Sequence, residues 1–316
     1  MKPRIGATTK AEPALFPHIT RNWTTRSVMA DVVIALTPAI IGSVYFTGWR
    51  SLAVILFSVA CCVAAEAAAC LVRRQPLTVT DGSAVVTGLL LALSLPSGIP
   101  FPAVAAGAAI AMLLVKALFG GLGKNILNPA LSGRMFLSIL WPVLFTIASP
   151  AAADAVSSAT PLMWMRLGGD PGALDLFVLL PPAMLLLLGA AYLYLRGVIT
   201  LTAPLACLGS AAAILWIFGG DRPFLGDPVV HLLSGGLILG AFFMATDYTT
   251  TPATRLGRLV FGLGAGILTA VFRLWGKTPE GVGYAILAMN AVSPLIERLT
   301  EPRPCGTGGV KHEKSK

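Results

Sequence analysis

The sequence predicts an all-α, polytopic membrane protein of about ten transmembrane segments. Two observations carry this expectation. Charged residues are only 12% of the 316, hydrophobic residues are 56%, and the mean hydropathy is +0.80. A soluble domain carries about 25% charged residues, so this chain lacks the side chains to cover a water-facing surface. The apolar residues also come in blocks, such as Ser51–Val72 and Leu174–Leu195, close to the roughly 20 residues that a helix needs to cross a bilayer.

Taken in order, the expected segments are Val28–Phe46, Ser51–Val72, Gly82–Leu95, Phe101–Phe119, Asn128–Ile147, Leu174–Leu195, Val198–Phe218, Val229–Thr246, Leu259–Trp275 and Gly281–Leu299. The third, fifth and eighth are short or interrupted by Gly and Pro. Residues 1–27 form an N-terminal arm, 28–299 the membrane domain and 300–316 a tail. The net charge of +9 reflects membrane topology rather than nucleic-acid binding, because the basic residues sit in loops and at segment ends. With the N-terminus in the cytoplasm and the sides alternating, 18 of the 23 Lys and Arg fall inside, as the positive-inside rule requires. Both termini are then cytoplasmic, and Ala148–Ala173 is an outer loop. That loop divides the chain into two five-segment halves. Each has a short helix, a Pro-containing link, a longer helix and a Gly-Lys turn, which suggests an inverted repeat; loosely similar punctuation arising by chance is the other reading.

The outer loop holds Asp154-Ala155-Val156-Ser157-Ser158-Ala159-Thr160. Taken by itself it is a small, hydroxyl-rich turn, and such Ser and Thr are ordinarily turn chemistry. Its residues also suit a phosphate group, since small side chains let backbone N–H groups cradle an anion and a hydroxyl can become an ester. Glu66, amid alanines, and Asp81, at the start of the third segment, are acids in or beside apolar stretches. Such residues are functional candidates by default, here for ion coupling; the bland readings are an interhelical hydrogen bond and a helix cap. The small neighbours of Glu66 would also allow it to pack against another subunit. Asp31 lies only a few residues inside its segment. Arg134 either meets an anionic partner or snorkels to the surface. Gly120–Gly123 reads as a phosphate nest or as a tight turn. The five cysteines have no metal-ligand spacing, and His18, His231 and His312 are far apart, so no metal site is expected.

The chain resembles the RnfD family, whose relatives include the NqrB subunit of sodium-pumping NADH:quinone oxidoreductase. The resemblance rests on Asp154, Ser157, Ala159 and Thr160, with Ser158 where the family usually has Gly. It rests also on Thr80–Pro96, Phe119–Leu131, Met244–Asp247, Gly257–Leu259, Pro279–Gly281, Met289–Ala291 and Pro302–Arg303, all in family order. It implies FMN attached through its phosphate to Thr160, with Asp154, Ser157, Ser158 and Ala159 forming the attachment motif. It further implies electron transfer within the Rnf complex of the bacterial inner membrane, which exchanges electrons between ferredoxin and NAD⁺ and moves ions. The partners implied are the other Rnf subunits, above all the covalent-flavin subunit RnfG, and a separate flavin transferase. A second, noncovalent flavin is left open. An NqrB-type subunit, a channel or transporter, and a structural scaffold are the rival readings.

Overall fold

The computed structural model describes residues 24–74, 78–118, 121, 123–147, 162, 176–220, 222–276 and 281–301. Among these residues the regular structure is helical throughout. Helix α1 (Thr25–Thr47) begins with a capping box in which Thr24 Oγ1 accepts from Ser27 N at 3.2 Å and Ser27 Oγ accepts from Thr24 N at 3.2 Å. It meets α2 (Trp49–Val72) through the single residue Gly48, whose φ of +81° reverses the chain at no Cβ cost. A 3₁₀ turn at Val79–Asp81 leads into α3 (Ser83–Ser94). Helix α4 (Phe101–Ala109) runs directly into a π-helical stretch, Ile110–Ala117. There the N–H of Leu118 bonds five residues back to Leu113 O at 3.2 Å, and Gly121 N to Lys116 O at 3.0 Å. Helix α5 (Pro129–Leu140) is capped by Asn128 and has Pro129 at its first position, where a missing N–H is harmless.

The fifth expected segment, Asn128–Ile147, is two pieces. Trp141 leaves helical geometry before Pro142, because the ring of a proline disfavours the helical region in the residue before it. The short α6 (Pro142–Ile147) follows.

The second half contains α7 (Leu176–Leu195), α8 (Thr202–Phe218), α9 (Pro228–Leu233), α10 (Leu237–Leu239), α11 (Arg255–Trp275) and α12 (Val282–Thr300). The eighth expected segment is broken where Gly235 and Gly236 both take positive φ. Helix α10 then passes into a second π-helical stretch, Gly240–Met244, closed by Ala245 N donating to Gly240 O at 2.7 Å.

Three described helices, α1, α2 and α11, are long and apolar enough to cross a membrane by length and composition. Helix α3, with 12 residues, is only about 18 Å long against a hydrocarbon core of about 30 Å, so it reaches little more than halfway. Neighbour relations repeat between the halves. Helix α2 packs on α3 and α4, as α8 packs on α9 and α11; α5 packs on the α4 stretch, as α12 packs on α11. Across the halves, first helix meets first (α1 with α7) and fifth meets fifth (α5 with α12). Small residues permit the closest crossings: a Cβ on Gly189 of α7 would overlap Ala35 O of α1, and one on Gly266 of α11 would overlap Cys207 O of α8.

Candidate functional site

The halves meet at a cleft. Val32 of α1, Leu90 of α3, Leu193 of α7, and Phe242 and Phe243 of the second π stretch wall it with apolar surface. Lys116, Asn125, Asn128, Thr246, Asp247 and Thr249 bring polar groups to the same space. Apolar walls with a few convergent polar groups describe a small-molecule site. Asn125 is 5% exposed and its Oδ1 has no partner. A buried polar atom left without a bond is costly, so this oxygen calls for a ligand's donor or for water. Asp247 follows the eighth segment. Burial pushes its carboxyl above the usual range, while the N–H of Thr249, donating to Oδ1 at 3.2 Å, pulls it back.

Asn128 ties the floor of the cleft together. Its Oδ1 caps α5 by accepting from Leu131 N at 3.2 Å, and its Nδ2 donates to Met244 O at 3.4 Å. Its own N–H donates to the side-chain oxygen of Asn290 on α12 at 3.1 Å, with that amide oriented to satisfy its bonds.

A buried polar chain runs from the cleft into the first half. Lys116 Nζ lies 2.5 Å from Glu66 Oε1 and 2.5 Å from Ser83 Oγ. Thr78 Oγ1 donates to the same Glu66 oxygen at 3.1 Å. Asp81 Oδ1 accepts from Ser83 Oγ at 2.6 Å and from Ser83 N at 2.8 Å. The two acids singled out in the sequence therefore belong to one network, joined by Lys116 and Ser83. Glu66 pairs with the chain's own lysine, between α2 and the π stretch.

At the other end of the helices Arg273 of α11 is 6% exposed. It donates to His231 O, and to Ser234 O at 2.9 Å. Its Nε, His231 Nδ1 and Ser234 Oγ are buried without partners. Leu162, 3% exposed, lies against Gly235 beside this guanidinium.

The model of the NQR2, RnfD, RnfE family matches residues 14–306. The chain belongs to the NQR2, RnfD, RnfE family. It is 42% identical over 313 residues to the D subunit of the proton-translocating ferredoxin:NAD(+) oxidoreductase complex of Clostridium ljungdahlii, covering 92% of this chain and 95% of that one. It is 41% identical over 310 residues to the D subunit of the Na(+)-translocating ferredoxin:NAD(+) oxidoreductase complex of Acetobacterium woodii, covering 94% and 96%. The D subunit of the ion-translocating oxidoreductase complex of Stutzerimonas stutzeri is 35% identical over 323 residues, covering 88% and 91%.

The motif residues Asp154, Ser157, Ser158, Ala159 and Thr160 lie outside the described residues. Arg134 is half-buried on α5 and is not among the cleft residues. Asp31 is buried: Tyr192 OH donates to it at 2.9 Å, and Arg196 Nη2 lies 3.1 Å away. The described glycines of the Gly-rich turn, Gly121 and Gly123, have φ of +96° and +89°, a conformation that glycine adopts without Cβ strain. Lys116 is a site residue that the sequence reading misses. Its signal is present, since Ile110–Leu118 is apolar except for this lysine; the rule for membrane-embedded charges covers cations as well as the acids to which it was applied.

Proposed function

We propose that this chain is the membrane-embedded electron-transfer subunit of an ion-translocating ferredoxin:NAD⁺ oxidoreductase complex of the bacterial inner membrane. It carries FMN in a phosphoester at Thr160 and acts only with its partner subunits, among them the covalent-flavin subunit RnfG. The observation that carries this reading is the motif Asp154-x-x-Ser157-Ser158-Ala159-Thr160, in a chain of this family 41–42% identical to two subunits of such complexes. When bound, a flavin takes up and gives up electrons, and the protein's part is position, burial and electrostatics. Leu162, two residues beyond Thr160, is packed beside Arg273. The unsatisfied Arg273 Nε, Ser234 Oγ and His231 Nδ1 suit an anionic phosphate. Fluorescence of the denatured chain in a gel tests attachment. A fluorescent band is expected, and a dark band from cells that contain the flavin transferase overturns the reading.

The cleft suits a second, noncovalent flavin. Its aromatic and aliphatic walls fit a flat heteroaromatic ring, and Asn125, Asn128, Thr249 and Lys116 would hold the ring's carbonyl and N–H groups. Acid extraction of the purified complex is expected to release flavin beyond the covalent fraction. Asn125→Leu, which removes an amide that has an unsatisfied oxygen, is expected to weaken noncovalent flavin binding at least tenfold, a loss of about 1.4 kcal/mol, and so to lower the released fraction. Full occupancy in Asn125→Leu would remove the residue from the site.

Reporter domains fused after Ala153 and after Lys316 are expected to report opposite sides of the membrane, with the tail cytoplasmic. The same side for both would reject the alternation. On this topology the cleft opens toward the cytoplasm and the attachment segment toward the outside, so the two flavin positions sit at opposite ends of the helices. The names of the two relatives carry different ions at nearly equal identity, both of them monovalent cations.

A further inference from the structure

We propose that Lys116 is a charge relay, a positioning residue that exchanges its partner between Glu66 and the cleft and thereby ties electron arrival to uptake of one monovalent cation by Glu66. The inference rests on the reading of the cleft as the site of a redox group of the flavin class.

The geometry sets Lys116 between two environments. Its side chain is 4% exposed and lines the cleft, yet its Nζ is held by Glu66 and Ser83. An ammonium has three donors, and two are used by these partners. Ser83 is held as an acceptor: its one hydroxyl proton goes to Asp81 Oδ1 at 2.6 Å, leaving its lone pairs for Nζ. Asp81 thus fixes Ser83 as the pivot. On the far side, Glu66 Oε2 is buried with no partner, so the carboxylate is neutralised by Lys116 but only half satisfied. A buried ion pair gives little stability compared with apolar residues of similar volume, so stability alone does not account for placing one here.

Charges in a dry interior are weakly screened, so the local sum of charge is strongly held. With the cleft uncharged, Lys116 and Glu66 cancel. One electron entering the cleft brings one negative charge beside Nζ. Nζ turns on Ser83 toward that charge, and Glu66 loses its neutralising partner. One cation, H⁺ or Na⁺, then binds the Glu66 carboxylate. When the electron leaves, Nζ returns to Oε1 and displaces that cation. Each electron in is matched by one cation in, each electron out by one cation out, and no covalent bond forms or breaks apart from a proton on Glu66 where H⁺ is the ion.

The test is a redox titration of the noncovalent flavin in the purified complex, varying pH at fixed Na⁺ and Na⁺ at fixed pH. One cation per electron predicts a midpoint shift of about 59 mV per tenfold change in the coupled cation, and the arm that shows it names the ion. Both Lys116→Met and Glu66→Gln are expected to flatten that slope. The double variant Lys116→Met/Glu66→Gln, which buries no unpaired charge, is expected to assemble, retain flavin and show no slope. Besides Glu66, the titratable groups around Lys116 are Cys62 of α2, Asp81 in the turn before α3, and Asp247 and Tyr248 across the cleft. A slope that survives in Glu66→Gln but vanishes in Asp247→Asn assigns the cation to Asp247 and overturns the relay. A slope that survives in Lys116→Met, or is absent from the unmodified complex, overturns it as well. Absence of noncovalent flavin from the unmodified complex instead sinks the reading of the cleft, and the relay with it.

Discussion

Thr160→Val is expected to leave the chain in the membrane with no covalent flavin, whereas Thr160→Ser keeps at least part of it. Valine matches threonine in shape but lacks the Oγ that would bear the phosphoester, so packing is preserved while the chemistry is removed. Ser157 and Ser158 are two other hydroxyls in the same motif, which makes the experiment discriminating. Gel fluorescence measures the loss, and the mass of the peptide spanning Asp154 to Leu162 reports where any flavin sits. Undiminished fluorescence in Thr160→Val would move the attachment to one of the serines or abolish the assignment. The unmodified chain, expressed without the transferase, is expected to be dark, because nothing in this sequence resembles an enzyme that cleaves FAD. Leu162, two residues beyond Thr160, packs independently against Gly235, so a Thr160→Val chain is expected to melt close to the unmodified one.

Gly189→Val is expected to have the largest effect on assembly of the fold. Gly189 is where α7 lies directly on α1, and any Cβ there would strike the Ala35 carbonyl. Backbone cannot move aside as a side chain can, so the helices must part. Overpacking of this kind costs about 1–3 kcal/mol, occasionally more. One turn along α7 from Gly189 stands Leu193, and one turn along α1 from Ala35 stands Val32; both line the cleft. The variant is therefore expected to melt earlier in detergent and to lose noncovalent flavin, while covalent flavin at the far end persists. Gly209→Val on α8 is the control, because nothing lies within 4 Å of a Cβ there. Equal melting of Gly189→Val and the unmodified protein would show that α1 and α7 do not cross as described.

The class of fold was legible because hydrophobic blocks are a length signal, and length is what a bilayer reads. Interruptions were legible where Gly and Pro announce them, as at Gly235-Gly236 and before Pro142. The direct passage of α4 into its π stretch was not, since Ala108–Phe119 holds no Gly or Pro and five-residue bonding has no residue signature. For the site, Glu66 and Asp81 stood out as acids among apolar residues. Their connection did not, because Lys116 is 50 residues from Glu66 and becomes its partner only when α2 packs on the π stretch. Asn128 read as a helix start, which it is; its second and third bonds, to Met244 and Asn290, join elements more than 100 residues away and leave no local trace. The motif ending in Thr160 was legible through resemblance alone, for its residue types are those of any polar turn.

The stretch Ile110–Ala117 spends more residues per turn than an ordinary helix does. Removing one residue inside it, between Ile110 and Val115, and letting the segment relax to ordinary α-helical bonds would leave Lys116 on nearly its present bearing, because the five-residue bonds already absorb one extra residue. The same deletion made ahead of the stretch, in α4, would instead turn everything after it by about 100°, and the lysine would face away from Glu66. Exchanging one aliphatic residue for another leaves the bearing intact in either place, since the turn is set by backbone bonds such as Gly121 N to Lys116 O. The wide turns are thus the one part of this segment in which the loss of a residue is forgiven, and the direction of the lysine is fixed by chain length on either side of them.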